Sequence, residues 1–364
     1  MSTVETPTNN QRQGMAEYER VLAGAKTETA RFEEERKPFL RRVQVFIHHN
    51  PTVVPFIILI LSLIAFSVLN GTRFMSMFNF SLIMQQVSII AIVGIAQTLI
   101  ILTAGIDISI GAILVISHIV MARVAMTYGV PPYLAIGVGL LVGTACGFFN
   151  GCLVTVFRLP PFIATLGTWS IFGSLNIWYS QGETIGASQI AQTAPFLQFL
   201  GTSFGIAGAR FSYGFLLVLL VAAAIWYVLA KTAFGRHVYS TGDNEEAARF
   251  AGINTRGTLL AVYTLGGFVA AVGGLVLIGR IGAASPLAGG TLNMDSVTAV
   301  VIGGTSLFGG RGSIIGTLLG ALIVGVFRNG LALGGVDVVW QELSVGFLIL
   351  IAVAIDQWIR KVAK

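Results

Sequence analysis

The chain has 364 residues, 55% of them hydrophobic and 10% charged, with a mean hydropathy of +0.82. Soluble domains carry about a quarter charged residues, so this balance excludes one and specifies an all-α polytopic membrane protein. The net charge of +6 gathers in the first 50 residues, the Lys231–Arg256 loop and the last five residues, which is the positive bias of a cytoplasmic face and not a nucleic-acid surface.

Residues 1–50 read as a cytoplasmic tail. A Thr/Asn/Gln-rich start gives way to a charged segment from Met15 to Val45, expected to be a solvated or interfacial helix. The tail is polar up to the first span, so no cleavable signal is expected. Arg36, Lys37, Arg41 and Arg42 just before that span place the N-terminus inside. Residues 51–364 form the transmembrane domain. Apolar runs of about the length needed to cross a bilayer follow one another: Val53–Leu69, Leu82–Thr103, Ser109–Met126, Tyr133–Phe157, Phe162–Tyr179, Tyr213–Leu229, Leu259–Ile278, a short Ser296–Leu307, Ile314–Phe327 and Leu343–Ile359. Ten crossings put both termini inside, leave residues 181–211 as an external loop with some structure of its own, and put residues 234–257 in the cytoplasm. Gly139, Gly143, Gly147 and Gly151 make a small-residue stripe that lets a neighbouring helix approach closely, and Gly316 and Gly320 repeat the device. Cys146 and Cys152 fall on different faces of one span and are expected to be small buried residues. Gly105–Gly111 and Gly310–Gly316 echo each other about two hundred residues apart, as repeated halves of transporters do.

The most polar stretch after residue 50 is Phe234–Gly252, between two strongly apolar spans. Asp243 can cap a helix start there, with Glu246 completing a capping box, and Gly252 suits the left-handed position past the helix end. Ala247, Phe250 and Ala251 share one face, whereas Glu245, Glu246 and Arg249 lie elsewhere. Such a knob suits docking to another protein; a plain polar loop is the alternative.

Asp107 is the one acidic residue between Glu35 and Glu183, at a glycine-flanked break between two spans. A carboxylate at that depth must be paired or face water. Either it lines an aqueous path or gate with Ser109, or it caps the helix that begins there. Gln85, Gln97, Asn150, Thr165, Asn176 and Ser306 are neutral polar groups scattered through the spans, the kind that guide a polyhydroxylated neutral solute without trapping it, although interhelical hydrogen bonding explains them equally. No relay of Asp, Glu and His marks a proton-driven carrier. Gly201–Gly205 matches G-x-S-x-G outside any strand–turn–helix context, and none of the four histidines has metal spacing. With no G-x-x-x-x-G-K-[ST] loop, no cofactor is expected here, and any ATP must be bound by a partner.

Four stretches carry a family resemblance: Leu102-Thr-Ala-Gly-Ile-Asp-Ile-Ser-Ile-Gly-Ala112, Leu159-Pro-Pro-Phe-Ile-Ala-Thr-Leu-Gly167, Gly235-Arg-His-Val-Tyr239 with Glu246-Ala-Ala248, and Val301-Ile-Gly-Gly-Thr-Ser-Leu-Phe-Gly-Gly-Arg-Gly-Ser313. From about residue 50 to the end, the chain resembles the permease subunits of bacterial ABC sugar importers of the ribose/xylose/fructose type. It is most similar to the fructose permeases, including its Asp356-Gln-Trp-Ile-Arg-Lys361 ending. The resemblance implies a non-enzymatic, multi-pass subunit of the bacterial inner membrane and a homodimer of ten-helix subunits. It further implies a cytoplasmic ABC ATPase and a periplasmic sugar-binding protein. Asp243, Glu245, Glu246, Ala247, Ala248, Arg249 and Gly252 would then form the coupling helix on the ATPase. Arg123 and Arg328, near external span ends, depart from the positive-inside pattern. The rival readings are a permease of the same family for a nucleoside or branched-chain amino acid, and an ion-coupled carrier or channel without an ATPase.

Overall fold

A computed structural model describes residues 52–206 and 208–360. The tail over residues 1–50, with its charged segment, and the last residues of the ending lie outside them. The helices are α1 Val53–Asn70, α2 Met77–Leu102, α3 Ile110–Thr127, α4 Pro132–Thr155, α5 Pro161–Ser180, α6 Ala187–Thr193, α7 Tyr213–Lys231, α8 Ala233–Asp243, α9 Glu245–Phe250, α10 Thr255–Ile281, α11 Leu292–Ile302, α12 Ile314–Leu333 and α13 Val338–Arg360. Their starts follow local chemistry. Ser76, Ser212, Thr232, Asn254 and Ser313 each accept a backbone N–H of the first turn, and α4 and α5 open on Pro-Pro.

Among the described residues, seven helices are long and apolar enough to cross a membrane: α1, α2, α3, α4, α7, α10 and α12. Helix α5, with 20 residues, has the length but a more polar composition; helix α13, with 23 residues, is apolar over Val338–Ala354. The short element expected over Ser296–Leu307 is present but begins and ends earlier, at Leu292 and Ile302. Helix α11 has 11 residues, about 16 Å, or half the hydrocarbon thickness. It ends where Gly303 and Gly304 turn the chain into an irregular run to Ser313.

Burial separates an inner from an outer set. Eighty-nine per cent of the apolar window of α2 is buried, against 22% for α1 and for α4. Helix α2 is apolar all round because α10, α12, α11 and α7 pack about it. Helix α4 meets α10 through the glycine stripe: a Cβ on Gly143 would strike Ser117 Oγ and the Gly267 carbonyl, and one on Gly147 would strike the Tyr263 carbonyl. The stripe therefore sets the α4–α10 distance. Residues 181–212 contain α6, a 3-10 turn over Pro195–Gly201 and an antiparallel hairpin, β1 Ser203–Ile206 with β2 Ala209–Ser212. The Gly201–Gly205 match thus runs into a hairpin strand.

Candidate functional site

Between α2 and α3 the chain leaves the helix for seven residues, and its polar groups must be satisfied inside protein. Asp107, 2% exposed, supplies part of the answer. Its Oδ1 accepts the Ser109 N–H at 2.6 Å and the Ser109 hydroxyl at 2.7 Å. Asn150 on α4 donates to Asp107 Oδ2 at 3.1 Å and to Ser109 Oγ at 2.7 Å. Thr165 on α5 donates to the Ile106 carbonyl and accepts the Ile108 N–H, at 3.1 and 3.3 Å. Four of the sequence-predicted path residues, Asp107, Ser109, Asn150 and Thr165, thus form one cluster that ties the break to α4 and α5. Beside it lies the Tyr263 hydroxyl of α10, close enough to meet a Cβ on Gly105 and without a hydrogen-bond partner.

A second irregular stretch, residues 282–291, leads into α11. Its Ala284 bridges to Ile185, its Ser285 N–H donates to His118 Nε2 at 3.1 Å, and its Pro286 carbonyl accepts Asn176 Nδ2 at 2.9 Å. His118 Nδ1 faces the Gly274 carbonyl at 3.3 Å, so the tautomer protonated at Nδ1 satisfies both contacts. The helices that follow the two breaks meet at their first turns, where Asn293 Oδ1 on α11 accepts the Gly111 N–H on α3 at 2.6 Å. Asn176 therefore belongs to the second break. The other three path residues lie apart. Gln97 is fully buried with neither amide atom partnered. Gln85 lines a void of about 20 Å³ beside Ser88 and Arg280. Ser306 closes a turn, accepting the Phe308 N–H and donating its own N–H to Arg311.

Sequence reasoning missed an ion cluster. Arg328 on α12 meets Asp295 on α11 at 2.6 Å and Glu342 on α13 at 2.8 Å. Arg123 likewise meets Glu183 at 3.1 Å and donates to the Ser180 carbonyl at the end of α5 at 2.6 Å. Both arginines that break the positive-inside pattern are thus neutralised within the fold. Asp295 and Arg328 stand 33 positions apart, with no local sign of the contact in the sequence.

At the opposite end of α2 lies the 243–252 turn. Asp243 is the last residue of α8, which corrects the expected cap: Asn244 precedes α9, and its Oδ1 accepts the Ala247 N–H at 2.9 Å. No capping box with Glu246 forms, because the Asx cap sits one residue later. Gly252 takes φ 87°, and the Ile253 and Gly252 N–H groups close on Ala248 and Arg249 carbonyls, a Schellman ending. Glu245 accepts the Thr255 hydroxyl at 3.3 Å, while Glu246 and Arg249 are exposed. Ala248 is the inward residue at 4% exposure and Phe250 stands out at 85%, so the expected shared face of Ala247, Phe250 and Ala251 points away from the body.

Beneath the turn, three backbones converge. A Cβ on Gly242 would strike the Leu102 carbonyl and Gly310 N; one on Gly309 would strike the Gly242 carbonyl and Ala104 N. Gly310 N–H donates to the Leu102 carbonyl at 3.0 Å, and the Tyr239 hydroxyl donates to the Gly312 carbonyl at 2.9 Å. Burial pushes the Tyr239 phenol above its usual range, which keeps it a donor. The turn is locked to the foot of the Asp107 break and to the start of α12, and the two echoing segments begin side by side here. Among the described residues, no group of three His, Cys, Asp or Glu is placed to hold a metal ion.

Residues 79–353 match the family model described as "Branched-chain amino acid transport system / permease component". The chain belongs to this family. It is 53% identical to the fructose import permease protein FrcC of Rhizobium meliloti, over 98% of this chain and 99% of that one. It is 38% identical to the ribose import permease protein RbsC of Bacillus subtilis, over 83% and 92%. It is 36% identical to the D-allose transport system permease protein AlsC of Escherichia coli, over 84% and 91%. No solved structure matches. The permease is a multi-pass protein of the inner membrane, a transport component and not an enzyme.

Proposed function

We propose that this permease forms the membrane path for a monosaccharide, fructose-like or ribose-like, in an ATP-driven importer whose ATPase is a separate cytoplasmic subunit and whose sugar is delivered by a periplasmic binding protein. The fructose, ribose and allose import permeases it resembles support the solute class. In this reading two copies pair, both termini lie in the cytoplasm and the chain crosses ten times. Residues 282–291 and α11 make one return crossing together, which reconciles a half-length helix with an even count.

One observation carries the mechanical part. The 243–252 turn presents an exposed Phe250 outward and is locked by glycine close packing onto Leu102–Ala104, five to three residues from Asp107. A push on α9 then reaches the break between α2 and α3 through backbone contacts, without intervening flexible side chains. Asp107, Ser109, Asn150 and Thr165 act in this reading as the braces of that hinge, with Gln85, Gln97, Asn176 and Ser306 further along the path.

The test is uptake and sugar-stimulated ATP hydrolysis in the reconstituted complex. Glu246→Arg is expected to abolish both while the protein still reaches the membrane. Normal uptake by that variant would refute the coupling role, and uptake that persists without the ATPase would favour an ion-coupled carrier. A labelled panel of fructose, ribose, a nucleoside and a branched-chain amino acid separates the solute classes.

A further inference from the structure

A cavity of about 520 Å³ opens beside the 243–252 turn, and its wall reaches Gly105 and Tyr263 beneath the Asp107 break. Arg158, from the α4–α5 connection, and Arg249 and Arg256, from the turn and the first residues of α10, line it together with a single acidic residue, Glu245. Among the described residues, none of the three arginines has a hydrogen bond or ion pair through its side chain. Glu245 is already engaged by Thr255. All three arginines are exposed, and three like charges around one concavity attract an anion even through solvent screening.

Arg158 adds a second, independent observation. It holds φ 57°, a left-handed conformation that glycine takes without penalty and an L side chain does not. The connection needs that backbone shape to leave α4 and enter the Pro160–Pro161 start of α5. Glycine would serve the turn at less cost, and Arg158 brings a guanidinium to the cavity from that position.

We propose that this cavity binds a phosphate group, carried either by a free phosphomonoester or by the headgroup of an anionic phospholipid. Planar guanidinium forks match phosphate oxygens two at a time, and three of them outweigh Glu245. An occupant would tie the α4–α5 connection to the 243–252 turn and so brace the segment that the coupling reading requires to move. The side of the membrane rests on that reading; the binding itself does not, and it is measured without transport.

The experiment uses the purified full-length permease. Thermal unfolding in neutral detergent is followed while inorganic phosphate replaces chloride at constant ionic strength. In parallel, nanodiscs of phosphatidylcholine with and without phosphatidylglycerol are examined by native mass spectrometry for retained lipid. Arg158→Gly removes the charge and relieves the positive φ, so the fold is retained; Arg256→Gln is the second variant. Saturable stabilisation by phosphate, with half-saturation moved roughly tenfold or more in both variants, would assign a free phosphate ligand. Phosphatidylglycerol retained by the wild type and lost from both variants, with no phosphate response, would assign a headgroup. A wild type that responds to neither, or variants that respond as the wild type does, would overturn the proposal.

Discussion

The two ends of the bundle are fastened by different physics. At the 243–252 end, α8, the foot of α2 and the 309–312 run touch chiefly through backbone, at glycines whose missing Cβ atoms leave no slack, with the Tyr239 hydroxyl on the Gly312 carbonyl beside them. At the other end, α11, α12 and α13 are held by Arg328 between Asp295 and Glu342, and α3 is tied to α5 by Arg123. Backbone contacts are short and stiff and pass displacement on; ion pairs with long side chains can lengthen, re-pair or open. The contrast suits a lever at one end and an adjustable closure at the other.

Substitutions at each end sharpen the contrast. Gly242→Leu would drive a side chain into two backbones, and a loss of roughly 3 kcal/mol or more is expected, read as lost yield and lowered melting temperature in detergent. Arg328→Met leaves Asp295, 5% exposed in its side chain, without its cation. About 3 kcal/mol of destabilisation is expected, with retention of the ATPase subunit unchanged in pull-downs; loss of that retention would erase the distinction between the ends. Asp107→Asn keeps the shape of the hinge but replaces one carboxylate acceptor by an amide donor, and should cost about 1–3 kcal/mol, measured by chemical denaturation. Phe250→Ser, at a residue 85% exposed, should leave the melting temperature within a degree or so of the wild type and weaken ATPase binding roughly thirtyfold.

Much of this was legible in the chain. Apolar runs located the long helices, the glycine stripe forecast the close approach of α4, and the glycines flanking Asp107 marked the break between α2 and α3. What stayed hidden depended on contacts between distant segments. Residues 282–291 drew no reading from the sequence, because the groups they bond to, His118, Asn176 and Ile185, are about a hundred residues or more away. The half-length of α11 followed from the glycines after Ile302, yet the apolar run continued far enough to resemble a span. At the turn, Asp243 and Asn244 are both competent caps, and only the end of α8 at Asp243 decides between them. Phe250 was placed on a face, but which way that face points required the packing of Ala248 against the body.

The central claim is that residues 243–252 are an inward-facing lever for a separate ATPase. It is tested most directly by Phe250→Cys in a background with Cys146 and Cys152 replaced by serine, probed in sealed membranes of known orientation containing the whole transporter. The expected result is modification by a membrane-impermeant maleimide from the cytoplasmic side alone, blocked when the ATPase subunit is bound, with a bifunctional reagent joining the two subunits. Modification from the periplasmic side, or no protection and no cross-link with the ATPase present, would contradict it.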